Sequence, residues 1–338
     1  MINPKSILIT GGTGSFGVSY LNYCLKNYKN IKKIIIFSRD EFKHHILKQS
    51  FPDDKFPNIR FFIGDIRDKD RLQYAFRDID LVVHAAALKQ VDTAEYNPTE
   101  FIKTNILGSQ NVIDAAINQK IKKVIAISTD KASSPSSLYG ATKLCADRLF
   151  LSSSIFVPKG QITKFSVLRY GNVFGSRGSI IPKLFNFVGK GKIFPISDPN
   201  VTRFSFTLDQ VMRTVDWVLK NSLGDDLIIP KMKSYRLSDI IKIFEKKLKF
   251  NVVGLAPAEK LHEELISSTD LKNTFSIKDY YINTKKFEKI YKGYSKKFKV
   301  NKNHRFTSYN SFENNYLTHK ELSEQIINHE TRLLKTIY

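Results

Sequence analysis

The chain has 338 residues, 42% apolar and 25% charged, enough to bury a sizeable core in one main domain with a smaller partner. Its formal net charge of +22 comes from lysines scattered along the chain, with no basic arm, RNA-binding signature or zinc-finger spacing; this argues against a nucleic-acid partner and suits phosphate-bearing small ligands, although charge alone does not separate the two. Two cysteines exclude a disulfide framework, and no apolar run approaches the roughly 18 residues of a membrane span.

The opening Met-Ile-Asn-Pro-Lys leads into no long apolar stretch, so a cytoplasmic protein with no membrane partner is expected. Short apolar runs follow at Ser6–Thr10, Lys33–Phe37, Ile59–Ile63, Asp80–His84, Lys123–Ser128 and Lys164–Arg169, with helical stretches between them. That alternation predicts an α/β fold, a Rossmann-type doubly wound parallel sheet. It occupies residues 1–172, and a segment at about 204–230 is expected to return to it. Residues 173–338 are expected to form a smaller, mixed α/β substrate domain with a C-terminal extension, including helices at Leu208–Lys220 and Leu237–Leu248. The Lys/Asn-rich stretch Lys285–His304 reads as a mobile loop. Cys24 and Cys145 fall in helical segments and are expected to be buried thiols.

The first strand runs into Gly11-Gly12-Thr13-Gly14-Ser15-Phe16-Gly17. Glycines at 11, 14 and 17, where a strand turns into a helix, let backbone approach a pyrophosphate at the helix N-terminus. The second strand ends in Ser38-Arg39-Asp40-Glu41-Phe42-Lys43, where Arg39 and Lys43 suit the 2′-phosphate of NADP. The alternative is a solvated loop in which Asp40 or Glu41 faces the ribose of NAD. His44 and His45 are adjacent, point different ways and have no further ligand nearby in sequence, so no metal is assigned. His84 reads as structural.

Tyr139 and Lys143 form Tyr-x-x-x-Lys, which a helix places on one face, one turn apart. A cationic lysine favours the phenolate, so the tyrosine can take a proton from an alcohol while a nicotinamide takes the hydride. Ahead of them stand Thr129, Asp130 and Lys131. Oxidation and reduction of one carbon needs only a hydroxyl there. Loss of water from a ketone also requires a base and an acid, and Asp130 with Lys131 supply such a pair; the alternative is an ion pair at a strand end.

Ser128-Thr129-Asp130-Lys131-Ala132 followed by Tyr139-Gly140-Ala141-Thr142-Lys143 resembles the UDP-N-acetylglucosamine 4,6-dehydratases of the pseudaminic-acid pathway, within the extended short-chain dehydrogenases. The likeness continues through Ala94-Glu95-Tyr96-Asn97-Pro98, Arg169-Tyr170-Gly171-Asn172-Val173, Thr202-Arg203-Phe204, Glu259-Lys260-Leu261-His262-Glu263-Glu264 and residues 309–329. The resemblance implies Asp65 and Ile66 at the adenine, Ala85, Ala86 and Val173 along the cofactor, and Lys89 and Gln90 reaching cofactor and sugar. It further implies Asn172 near the sugar phosphate, Arg177 and Arg203 on the diphosphate, Glu259 at the substrate, and a homo-oligomer, dimer or hexamer. For Arg203 a structural ion pair is the alternative. Tyr139 stands where membrane-anchored, stereochemically retaining relatives have methionine, which points to inversion at carbon 5 and a 4-keto-6-deoxy product for a surface or flagellar glycan. The neighbouring reactions are a 4-epimerase and a dehydratase with epimerase activity at carbon 3. Ala256-Pro257-Ala258 replaces a segment that usually carries an arginine, so one contact to the nucleotide is expected to be missing, which leaves the choice of nucleotide open. Asp92, where proline is common, is a further departure.

Overall fold

The computed structural model describes residues 4–176 and 179–337, with side chains to His329. Strands β1 (Ser6–Thr10), β2 (Lys33–Ser38), β3 (Ile59–Ile63), β4 (Leu81–His84), β5 (Lys123–Thr129) and β6 (Lys164–Tyr170) pair in parallel in the order 3-2-1-4-5-6. β1 and β4 are buried at every position. Such runs form central strands because helices cover both faces of a parallel sheet, leaving no polar side to alternate with. The order reverses between β1 and β4, and the cleft at the C-terminal ends of the strands opens at this switch point.

The sheet does not stop at β6. Asp226–Pro230 adds in parallel beside it, and the hairpin Thr274–Ile277/Tyr280–Asn283 adds antiparallel at the edge. Part of the C-terminal half beyond residue 230 therefore also belongs to the main sheet. The outer strand is covered, because Ser276 and Asn301 exchange backbone bonds at 2.7 and 2.8 Å, which blunts an exposed edge. Lys285–His304 is thus not a loop throughout. Phe287–Ser295 is a helix whose Phe287, Tyr291 and Tyr294 pack their rings on Phe275. The aromatic positions were present in the sequence, but the lysines between them masked the apolar face.

The expected helix Leu208–Lys220 spans Leu208–Asn221 and opens on a capping box of Thr207 with Gln210. Leu237–Phe244 ends a turn earlier than expected. A second, smaller apolar cluster, including Phe174, Ile181, Leu184, Phe194, Leu237, Phe244 and Leu322, forms the lobe opposite the strand ends. Cys24 is buried as expected, but Cys145 is exposed on the outer face of its helix. Among the described residues no helix is long and apolar enough to cross a membrane.

Candidate active site

The glycine loop is shaped by backbone crowding. Gly11 adopts φ +66°, and a Cβ there would sit 2.9 Å from the Ala86 nitrogen; one on Gly17 would lie 2.4 Å from the Gly12 carbonyl oxygen. Side chains at either position would push the helix Ser15–Asn27 away from β1 and β4. Gly14 donates to the Gly11 carbonyl at 3.0 Å, and Thr13 bonds to Ser38 at 2.8 Å, tying the loop to the end of β2. Asp40 caps the next helix: it accepts from the Lys43 backbone at 2.9 Å and pairs with the Lys43 ammonium at 2.6 Å. Its carboxylate is thereby occupied, and Arg39 is left about half exposed beside Asp65 at 3.7 Å. Asp65 is also held by Arg67 at 2.7 Å. Ile66 is buried nearby.

Gly11, Gly14, Ser15, Phe16, Ala85 and Ala86 line one end of a cavity of about 520 Å³, with Lys89 and Gln90 at its side; Thr129, Asp130, Lys131, Tyr139, Lys143, Asn172 and Val173 line the other end. The 85–90 segment is fixed by Asn105, buried in a π-helical turn. Its side chain accepts from Leu88 N and donates to Leu88 O, both at 2.9 Å, and it donates to Thr142 at 3.0 Å. This brace between the loop and the helix Leu138–Ser152 has no signature in the sequence. His84 lies underneath, bonded to Thr10 at 2.8 Å, and burial with a smaller contribution from Lys143 brings its pKa down to about 3. It stays neutral and structural.

Tyr139 and Lys143 share the buried face of that helix. Burial pushes the Tyr139 phenol up to about 12, while nearby Lys131 and a hydrogen bond to Thr129 pull it down. Lys143 donates to the Ile127 carbonyl at 2.8 Å, and burial lowers its pKa against the opposing charge of Asp147. Asp147 is itself paired with the buried Arg169 at 2.9 Å.

Lys131, expected as a base, is held as an ammonium. Its Nζ lies 3.2 Å from Asp130 Oδ1 and 3.1 Å from Glu263 Oε1. Burial opposes the charge, but these two carboxylates outweigh it and hold the pKa above the ordinary lysine range. Thr129 donates to Asp130 at 2.8 Å, so hydroxyl, carboxylate and ammonium form one cluster. The part of Glu263 in it was not anticipated. It comes from 132 residues further on, and only the folded chain brings it to Lys131.

Two smaller cavities, of about 230 and 260 Å³, adjoin the first and share Asn172 with it and Arg203 with each other. Arg203 donates to Glu259 at 3.0 Å, and Glu259 also accepts from Ser197 and from the Ala256 backbone. In this state Arg203 makes the ion pair held as its alternative role, while still lining both cavities. Ala256, Pro257 and Ala258 form one wall of the 230 Å³ cavity. Arg177 lies outside the described residues.

Several buried polar atoms have no partner among the described residues: Ser128 Oγ, Asp130 Oδ2, Asn172 Oδ1, Ser179 Oγ and Glu263 Oε2. Native proteins rarely leave such atoms unused. Ser128, Asp130, Asn172 and Ser179 line the 520 Å³ cavity, and a polar ligand there would satisfy them. With the glycine cradle, the cavity fits a dinucleotide at one end and a polar substrate at the other.

The sheet order, the glycine turn and the Tyr139–Lys143 pair on one cavity define a protein of the extended short-chain dehydrogenase type. The chain belongs to the polysaccharide biosynthesis protein family, whose sequence model matches residues 7–285. It is 48% identical, over 83% of each chain, to the UDP-N-acetylglucosamine 4,6-dehydratase (inverting) of Campylobacter jejuni subsp. jejuni serotype O:2. It is 38% identical, again over 83% of each, to a UDP-glucose 4-epimerase of Rickettsia conorii. Among solved structures, Pen from Bacillus thuringiensis matches with TM-score 0.87 and 36% identity over 97% of this chain and 98% of that one. DesIV, a dTDP-glucose 4,6-dehydratase from Streptomyces venezuelae, shares the fold at TM-score 0.65 and 22% identity over 76% and 86%.

Proposed function

We propose that the protein is an NADP-dependent UDP-N-acetylglucosamine 4,6-dehydratase that inverts carbon 5. The observation that carries this reading is the Thr129–Asp130–Lys131 cluster facing the same cavity as Tyr139 and Lys143. A 4-epimerase has no need of a buried acid–base pair beside its tyrosine. Resemblance to both kinds of relative leaves the epimerase as the second reading, and this pair is what disfavours it.

The glycine loop, Thr13, Ser38, Asp65, Ile66 and Val173 would hold the dinucleotide, with Arg39 and Lys43 toward the 2′-phosphate. When bound, it supplies the hydride acceptor for carbon 4 and the hydride donor for carbon 6. Tyr139 takes the proton of the carbon 4 hydroxyl, and Lys143 favours its anionic form. Lys131, once its ammonium has given up a proton, takes the carbon 5 proton made acidic by the new ketone. Asp130 passes to the departing hydroxyl at carbon 6 a proton that reaches it through Thr129. Thr129, which donates to Asp130 and lines the same cavity as Tyr139, gives the proton lost at carbon 4 a path toward the water that leaves. Lys89, Gln90, Asn172, Arg203, Glu259 and Arg177 would hold the sugar nucleotide. Arg203 exchanges its pair with Glu259 for the diphosphate.

The test is incubation with UDP-N-acetylglucosamine and NADP in heavy water, with NMR of the product read before spontaneous epimerisation. A 4-keto-6-deoxy product of L-arabino configuration, with deuterium at carbon 5, is expected. An initial D-xylo product refutes inversion, and UDP-N-acetylgalactosamine alone makes the protein an epimerase.

A further inference from the structure

We propose that Glu263 is a positioning residue that receives the proton Lys131 must lose before this lysine can act on carbon 5; the inference rests on the dehydratase reading above. An ammonium cannot abstract a proton, and Lys131 is held as one. Its Nζ has two acceptors, Asp130 at 3.2 Å and Glu263 at 3.1 Å. Asp130 Oδ1 already accepts from Thr129 at 2.8 Å, and Asp130 faces the cavity that would hold the sugar. Glu263 lines the neighbouring cavity and not the one that Asp130 shares with Tyr139 and Lys143, and it meets the cluster at Lys131.

Glu263 is built to stay where it is. It is 3% exposed, its backbone N donates to Ser311 Oγ at 2.9 Å, and its carbonyl accepts from Ser311 N at 2.8 Å. Ser311 is anchored in turn by its own donation to the Thr202 carbonyl at 3.1 Å. Yet Glu263 Oε2 has no hydrogen-bond partner among the described residues. A buried carboxylate normally uses its oxygens fully, so this one has capacity for a proton. Among the described residues, the other charged or titratable groups that act on Lys131 or are acted on by it include Asp130, Arg203, Tyr139 and Tyr235, and Asp92, Glu259 and Lys260 share its smaller cavity. Of these, Asp130 is the one within bonding distance of its Nζ, and it does not stand apart from the chemistry.

In the transfer, one Nζ–H bond of Lys131 breaks and an O–H bond forms on Glu263. An ion pair becomes a neutral amine and a neutral acid, and the total charge of the cluster is unchanged, so no net charge has to be created beside the buried carboxylates. The Lys131 lone pair then takes the carbon 5 proton. The C–H electrons form the carbon 5–carbon 6 double bond as the carbon 6–oxygen bond breaks. Carbon 5 then takes its new proton from Tyr139, which is resupplied by the Lys131 ammonium through Asp130 and Thr129, and Glu263 returns its proton to Lys131.

The test uses the full chain with NADP and UDP-N-acetylglucosamine in heavy water. It follows reduced nicotinamide by absorbance, for oxidation at carbon 4, and deuterium at carbon 5 with keto-deoxy product by NMR. For Glu263→Gln, which keeps a hydrogen-bond acceptor but cannot take the proton, reduced nicotinamide should still form. Exchange and dehydration should fall on the order of a hundredfold or more, and Glu263→Asp should recover much of the loss. If Glu263 acted by charge alone, Glu263→Gln would release the lysine proton more easily; dehydration at an undiminished rate, with its acid limb moved to lower pH, overturns the proposal. Equal impairment of the Gln and Asp variants with oxidation intact overturns it too. Should Glu263→Gln fail to fold, Glu263→Asp decides: exchange well above that of Lys131→Met supports the relay, and exchange as low as that variant's overturns it. A wild type that makes no keto-deoxy sugar overturns the dehydratase reading and this inference together, whereas wild-type product with unimpaired variants overturns only the role of Glu263.

Discussion

Lys131→Met should abolish dehydration and also destabilise the fold, because the lysine neutralises two carboxylates that are almost wholly buried. The Asp130 and Glu263 side chains are 1% and 4% exposed. Each pair, at 3.2 and 3.1 Å, is worth roughly 5 kcal/mol by Coulomb's law at an effective dielectric constant of about 20. Desolvation cancels much of that, and removing one partner of a buried pair costs about 3–5 kcal/mol net. Arg203, at 3.8 Å from Glu263, offsets a little of the loss. Urea unfolding at neutral pH reads the stability, and reduced nicotinamide formed on adding substrate reads the surviving oxidation at carbon 4. The double variant Lys131→Met/Glu263→Gln separates charge from packing: removing one stranded carboxylate should restore about half of the lost stability while dehydration stays absent. If the single variant is as stable as wild type, or the double variant loses the sum of both single losses, the electrostatic reasoning is wrong. Near-normal dehydration by Lys131→Met would remove the lysine from the mechanism altogether.

Arg39→Ala should weaken NADP binding by about 1.5–3 kcal/mol, the worth of a charged hydrogen bond, and leave NAD almost unaffected; equal losses in titrations with the two cofactors would place Arg39 away from the 2′-phosphate. Ala256→Arg should lower KM for UDP-N-acetylglucosamine by restoring a cation to the wall shared with Arg203 and Lys260, and a raised KM would show that this wall serves another ligand. His84, with its folded pKa brought down to about 3 from 6.5, gives stability that is complete above pH 6.5 and lost as pH falls toward 3, since the unfolded chain takes up the proton first. Acid unfolding of the wild type should therefore steepen by up to about 1.4 kcal/mol per pH unit in that window, relative to His84→Asn; parallel profiles would show that the imidazole is not buried neutral.

The sequence alone determined whatever is written locally. Short apolar runs such as Ile7–Ile9 between turn signals read as strands covered on both faces, glycines at 11, 14 and 17 mark a turn where backbone must come close, and four-residue spacing puts Tyr139 and Lys143 on one helical face. The match of these motifs to a known family also named the reaction class. Tertiary structure decided what depends on residues far apart in the chain. The Lys131 ammonium meets Glu263 only because the segment 262–264 is pinned by Ser311 and Thr202. Asn105 steadies the loop at Leu88 from a π-helical turn 17 residues further on, a contact with no local signature. The hairpin Thr274–Asn283 joins the main sheet because its partner Asp226–Pro230 has one free edge, and the Lys-rich stretch after it folds because Phe275 offers its aromatic residues a surface. Composition gives the charge of Lys131, Arg203 or Asp40 but not its partner, and the partner, set by burial and distance, determines whether each group is a base, a ligand or a cap.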